Sequence, residues 1–269
     1  MKNLYLIEPL RRLTLPLLAK FGDRDITVRH AWHRDHRVRL NLFRHKGYWF
    51  HGKRREEDLM TSLARLVSPG SHVAEVGCHI GWISLHLRKL VGSDGKLYAF
   101  EPSPNNLPYL KANLASFDNV EIIELAVADR IGEATFYVEP LTGQNDTLVQ
   151  DYAVFDNNRA LAFSDATYKS ITVGTTTLDT QFSKVDDAIS LIKIDVEGAE
   201  RDVLQGGEDF VRRHRPAIAI EVTREYDWVE QFFRNAEYAM FTERLEPADD
   251  EKVGHGNWFF LPKERGLSS

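Results

Sequence analysis

From residue 71 onward, short apolar runs alternate with segments of helical period, and no other feature of this chain narrows its fold so far. "HVAEV" reads as a strand and "WISLHLRKLV" as a helix. "KLYAF" and "NLPYLKANLASF" repeat the pair, and "VEIIELAV" supplies a third strand. The alternation resumes with "LIKI", the helical stretch "AERDVLQGGEDFVRRH", the strand "AIAIEV" and the helix "EYDWVEQFFRNA". Strands separated by helices pair in parallel through crossovers, so the pattern predicts an α/β fold with a doubly wound, mostly parallel sheet. "YAMFTE" and "NWFFLP" finish it as an antiparallel pair. "GEATFYV" is a further strand candidate, but residues 140–172 are polar and irregular. A loop that long inside a compact domain usually serves function.

Ahead of this core, residues 1–70 read as an N-terminal extension to a domain spanning 71–269. The extension holds an amphipathic arm at 1–25, a basic and aromatic segment, and the helix "REEDLMTSLARLV", stopped by "SPG". The arm is expected to pack on the domain, with peripheral membrane contact as the alternative. Between Arg29 and Arg55 lie nine Lys/Arg, five histidines and five aromatics against one acid, Asp35. That segment carries +8 in a chain of net charge −6. Alternation in "VRLNLFR" points to a β-hairpin with one charged face; basic residues interleaved with aromatics also suit an RNA or an anionic glycan. No run approaches the ~20 apolar residues of a membrane helix. Cys78 is the sole cysteine, which excludes an internal disulfide and a thiolate zinc site and suggests a cytoplasmic setting.

The chemistry concentrates where strands meet helices. "VAEVGCHIGWISL" ends a strand on Glu75 and turns through Gly77 and Gly81 into a helix. Glycines there permit positive φ and close approach to a ligand. A dinucleotide loop would read G-x-G-x-x-G, whereas here Cys78 and His79 occupy the intervening positions. The E-x-G-x-x-x-G spacing suits S-adenosylmethionine, which has no phosphates to cradle. The next strand ends at Glu101, followed by Pro102 and Ser103, at about the interval where a Rossmann-type sheet places an acid on ribose hydroxyls. Ala126 and Val127 can flank an adenine, and Asp129 can meet its amino group.

With "VAEVGCHIGWISL", "GKLYAFEPSPNNLPYLKANL", "VEIIELAVADRIGEATF", "TTTLD", "LIKIDVEGAERDVLQGG" and "RPAIAIEV" in this order, the chain resembles the FkbM family of class I S-adenosylmethionine-dependent methyltransferases. The resemblance spans roughly 71–222. It implies a seven-stranded sheet of order 3-2-1-4-5-7-6 and O-methylation, often of sugar hydroxyls in glycans, glycolipids or natural products. It places Gly77, Gly81, Glu101 and the Ala126–Val127 edge on the cofactor, and Asp195, Glu197 and Glu200 at or near the reaction centre. Two departures stand out: Glu75 where the wider superfamily often has Asp, and His79 where Asn is frequent.

Methyl transfer to a hydroxyl is an in-line displacement, and a carboxylate that removes or orients the proton aids it. Asp195 and Glu197 are the expected bases, with His255 of "GHGNWFF" as an alternative. Asp195, Glu197 and Glu221 are also candidate ligands for magnesium. Tyr48 and Trp49 offer platforms for a sugar ring, and Gln144, Asn145 and Glu221 offer polar contacts to an acceptor. Two other readings remain in play: an RNA methyltransferase using 29–55, and a cofactor-binding module without catalysis.

Overall fold

The computed structural model describes residues 23–139, 144–150, 168–248 and 252–265. Two strands, β1 (Asp25–Arg29) and β2 (Arg37–Asn41), form an antiparallel hairpin. Alternation dictates its faces: Arg37 and Arg39 are exposed, while Val38 and Leu40 are buried. A short helix α1 (Lys46–His51) and then α2 (Glu57–Leu66) lead into the alternating core. There follow β3 (His72–Val76), α3 (Trp82–Val91), β4 (Lys96–Phe100), α4 (Leu107–Leu114) and β5 (Val120–Ile123). A small sheet comes next, built from β6 (Ala126–Val127), β7 (Gly132–Val138) and β8 (Lys169–Thr176). The main sheet resumes with α5 (Leu178–Phe182), β9 (Ile189–Ile194), α6 (Glu200–Gln205), α7 (Glu208–His214) and β10 (Ala217–Val222). It ends with α8 (Tyr226–Asn235), β11 (Tyr238–Thr242) and β12 (Gly256–Pro262).

Seven strands make the main sheet, in the order β11-β12-β10-β9-β3-β4-β5. The five at one end run parallel, and β12 inserts antiparallel between β10 and β11. Alternate residues of each strand enter opposite cores, as the period of two requires. Leu191, Ala217, Ala219 and Phe259 pack with the hairpin and α2–α4. Ile192, Ile194, Ile218 and Ile220 pack with α5–α8.

Two expected elements are each divided in two. "VEIIELAV" breaks after Ile123, where Glu124 pairs with Lys111 at 2.7 Å and the chain crosses to the second sheet. "AERDVLQGGEDFVRRH" breaks at Gly206–Gly207, where a Cβ on Gly206 would collide with the Ala128 carbonyl.

The hairpin docks through histidines. His30 and His86 are buried. The His30 Nε2 lies 3.1 Å from the Trp82 carbonyl, and its Nδ1 accepts from the backbone N–H groups of Trp32 and His33. His33 Nε2 lies 2.9 Å from His86 Nδ1, and His86 Nε2 lies 2.9 Å from the Met60 carbonyl. A carbonyl only accepts, so His30 and His86 carry hydrogen on Nε2 and use Nδ1 as an acceptor. His33 then donates to His86. The basic segment therefore spends much of its histidine and aromatic content on packing.

Candidate active site

At the carboxyl edge of the parallel strands lies a cavity of about 340 Å³. Open α/β sheets bind ligands here because helices and loops diverge beyond the strand ends. Its floor is the glycine turn after β3. Gly77, at φ 84°, lies against the Asp195 carbonyl, so any side chain would collide with backbone. His79 adopts φ 49°, and its backbone N–H donates to Glu101 Oε2 at 2.7 Å. The His79 Nδ1 lies 2.9 Å from the Tyr48 hydroxyl. Gly81, expected to touch cofactor, does not line the cavity. At φ 85° it caps α3, and a Cβ would approach Leu110 Cδ1 to 2.9 Å.

Glu101 is buried and faces the cavity beside Pro102. It accepts from the N–H groups of His79 and Ser103 and from Asn106 Nδ2. Burial, then the nearby Asp146 charge, pushes its carboxyl up to about 8. Ser103 is not a lining residue; its hydroxyl donates to Asp146 Oδ2 at 2.6 Å and so works behind Glu101. Leu125, Ala126, Val127, Phe136 and Leu148 form an apolar slot next to Glu101. Asp129 does not reach it. The chain turns outward after β6, leaving Asp129 exposed beside Arg130 at 3.5 Å. Asp146 arrives in its place, from between β7 and β8, along with Gln144 and Asn145.

Further along the edge, charge accumulates. Cross-strand register pairs Glu75 with Lys193, and Lys193 with Ala219. Glu221 pairs with Asn257. Period two then sets Glu75, Lys193, Asp195, Glu221 and Asn257 on one face of the sheet, and all five line the cavity. Lys193 is 2% exposed and donates to Asp195 Oδ2 at 2.7 Å. Burial opposes its charge, but Asp195 and Glu75 outweigh burial and hold its pKa above the ordinary value. Glu75 accepts from Ser84 Oγ at 2.6 Å and is pushed up to about 7, by burial above all. The Asp195 charge, then burial, pushes Glu221 up to about 8.

The far wall comes from outside the alternating core. Tyr48 is buried, the Arg55 guanidinium lies 4.3 Å from its ring centre, and Glu56 Oε1 lies 3.1 Å from Arg55 Nε. All three line the cavity. Trp49 does not, because the next residue of a helix points about 100° away. It is exposed and donates Nε1–H to the Leu42 carbonyl. His255 is also exposed and outside the lining; Asn257, two residues on, is the β12 residue that faces inward. Glu197 lines the cavity at φ 51°. Glu200 instead accepts from the Gly198 N–H and the Thr223 hydroxyl, tying the turn before α6 to the end of β10.

Among the described residues no three histidine, cysteine or carboxylate side chains are arranged to hold a metal ion. The expectation that Asp195, Glu197 and Glu221 form a magnesium site is thereby corrected: Lys193 already supplies the cation at Asp195. Lys193, Arg55, Glu56, Asp146, Phe136 and Asn257 escaped the sequence reading. Only Lys193 had a local signal, a lone cation inside an apolar strand two residues before an acid. Among the described residues, three of the seven non-glycine residues at positive φ, Glu56, His79 and Glu197, line this one cavity. Backbone strain gathers at functional sites because surrounding structure must enforce it.

Residues 75–240 match the methyltransferase FkbM domain. The 2-O-methyltransferase NoeI of Sinorhizobium fredii is 28% identical over 155 residues, covering 56% of this chain and 63% of that protein. The methyltransferase sdnD of Sordaria araneosa is 26% identical over 161 residues, covering 51% of this chain and 60% of that protein. The chain thus spans less than two thirds of either relative's length. The crystal structure of methyltransferase FkbM from Methylobacillus flagellatus superposes with a TM-score of 0.45 at 15% identity, over 79% of this chain and 60% of that one. No helix among the described residues is long and apolar enough to cross a membrane.

Proposed function

The chain belongs to the FkbM methyltransferase family, and from that premise we propose that it is an S-adenosylmethionine-dependent O-methyltransferase whose acceptor is a hydroxyl of a sugar or glycoconjugate. The observation that carries the reading is one cavity with three chemically distinct parts. The buried Glu101 carboxylate matches a vicinal diol, the slot of Leu125, Ala126, Phe136 and Leu148 matches an adenine, and the carboxylates beside Lys193 match a cation. Glu101 follows β4, and Glu221 lies on β10, three strands away. At ~4.8 Å per strand that is about 14 Å, the scale of an extended nucleoside–amino acid conjugate. An oxygen acceptor is supported by the relative named a 2-O-methyltransferase. A sugar acceptor is supported by the amide side chains of Gln144, Asn145 and Asn257 at the rim.

S-adenosylmethionine supplies a methyl group made electrophilic by sulfonium. The protein aligns the acceptor oxygen with it, and near-attack placement lowers the barrier. Asp195, steadied by Lys193, and Glu197 are placed to take or orient the acceptor's proton. A base at this position contributes on the order of 10²–10⁴-fold. Tyr48, Arg55 and Glu56 line the cavity within reach of the Lys193 and Asp195 charges and select what enters.

The test is calorimetric binding of S-adenosylmethionine to the wild type and to Glu101→Ala. Binding in the wild type, lost in the variant, supports the assignment. No binding, or equal binding to both, sinks it.

A further inference from the structure

We propose, resting on the cofactor reading above, that the carboxylate row distinguishes the sulfonium cofactor from its thioether product by a proton, which Glu221 carries in the unliganded protein and gives up when the cationic ligand is seated. The geometry is a charge imbalance. Glu75, Asp195 and Glu221 lie on one sheet face and share a single ammonium, Lys193, already committed to Asp195. The other charged groups around Glu221 do not correct it. Glu56 and Glu200 add negative charge, Arg55 is divided between Glu56 and Asp195, and Asn257 across the strand pair is neutral. Carboxylates crowded this way cannot all ionise, so one retains its proton. Glu221 is the natural holder, since the charge of Asp195 raises it most, to about 8. Glu75 has the Ser84 hydroxyl and Lys193 as compensation.

S-adenosylmethionine and S-adenosylhomocysteine share adenine, ribose and amino-acid tail, and differ by a methyl and one positive charge on sulfur. A cation against the row removes the reason for the extra proton. Loading the cofactor therefore creates an ionised carboxylate next to the acceptor, at the moment one is needed. In turnover the oxygen–methyl bond forms, the sulfur–methyl bond breaks with its electron pair returning to sulfur, and the acceptor's proton is left over. With the sulfonium charge gone, the proton that Asp195 or Glu197 has drawn from the acceptor passes to Glu221, beside Asp195 on the neighbouring strand, and the product complex returns to the starting protonation state.

Proton release is read by titrating each ligand in buffers of different ionisation enthalpy at pH 7.5, with no acceptor present. Both ligands bring the ribose to Glu101, so any release from that residue cancels in the difference. We expect S-adenosylmethionine to release roughly 0.5–0.8 proton more than S-adenosylhomocysteine. The excess should vanish in Glu221→Gln, compared at ligand concentrations that saturate the variant. In the wild type it should also vanish above about pH 9.5, where a group near 8 is already ionised, a check that needs no variant. Equal release by the two ligands, or an excess that survives Glu221→Gln or high pH, overturns the inference. Failure of either ligand to bind the wild type overturns the cofactor reading itself.

Discussion

The histidine seam under the hairpin and the carboxylate row at the sheet edge bury titratable groups on the same side of the sheet, with opposite results. Burial, ahead of every other influence, drives His30 down to about 3 and His86 to about 4, so both are neutral and their ring nitrogens are matched by protein partners. Burial and mutual repulsion drive Glu75 and Glu221 up to about 7 and 8, but these carboxyls face a cavity. Low dielectric neutralises acids and bases alike. What separates a docking seam from a reaction site is whether the remaining hydrogen-bonding capacity points into protein or into open space.

The hardest blow to the site side of that contrast should come from Gly77→Ala. A methyl there collides with the Asp195 backbone at a φ that side chains resist, so we expect loss of cofactor binding or of the fold, seen by calorimetry and circular dichroism. Asp195→Asn should be milder: about 10²–10⁴ lower turnover with an acceptor, and cofactor binding largely kept. A comparable loss of binding would instead make Asp195 a cofactor anchor. On the seam, His30→Ala leaves the Trp82 carbonyl and two backbone N–H groups without their partner. It should cost roughly 1–3 kcal/mol in denaturant unfolding while sparing cofactor affinity.

Acidity sharpens the contrast further. The seam histidines bind protons less readily folded than unfolded, so their contribution is present above about 6.5 and falls away as pH drops toward 4. Glu75, Glu101 and Glu221 bind protons more readily folded than unfolded, so theirs is complete below about 4.5 and is lost as pH rises through 7 to 8. Hydrogen exchange should thus show the hairpin loosening in acid. Glu221→Gln should flatten the decline of melting temperature between pH 6 and 9. The smallest effects belong to Asp129→Ala and His255→Ala, both exposed and outside the cavity. Each should leave cofactor affinity within about twofold, as surface changes away from special features do.

Most of the framework was legible because parallel strands and amphipathic helices write their periods directly into sequence. Glu75, Gly77, Glu101 and Asp195 were legible for a related reason: each sits at or just past the end of a buried run, where geometry forces a side chain to the sheet edge. The residues that the cavity does not bring together lie where that logic stops. Asp129 follows a strand that leaves the main sheet, and its expected place is taken by Asp146, seventeen positions later and brought there by tertiary structure. His255 precedes its strand by one residue and so escapes the pairing that sets Asn257 opposite Glu221. Arg55 and Glu56 belong to a segment whose relation to the sheet no local period encodes. Residues 1–22 of the arm, and residues 140–143 and 151–167 of the loop expected to set the acceptor, lie outside the described residues.

The left-handed backbone at Glu56, His79 and Glu197 has a practical consequence for anyone who wants a hardier version of this scaffold. Each holds a bulky side chain where glycine or asparagine would sit at lower energy. Glu197→Gly should raise the melting temperature even as it strips the cavity wall, an exchange of turnover for shelf life.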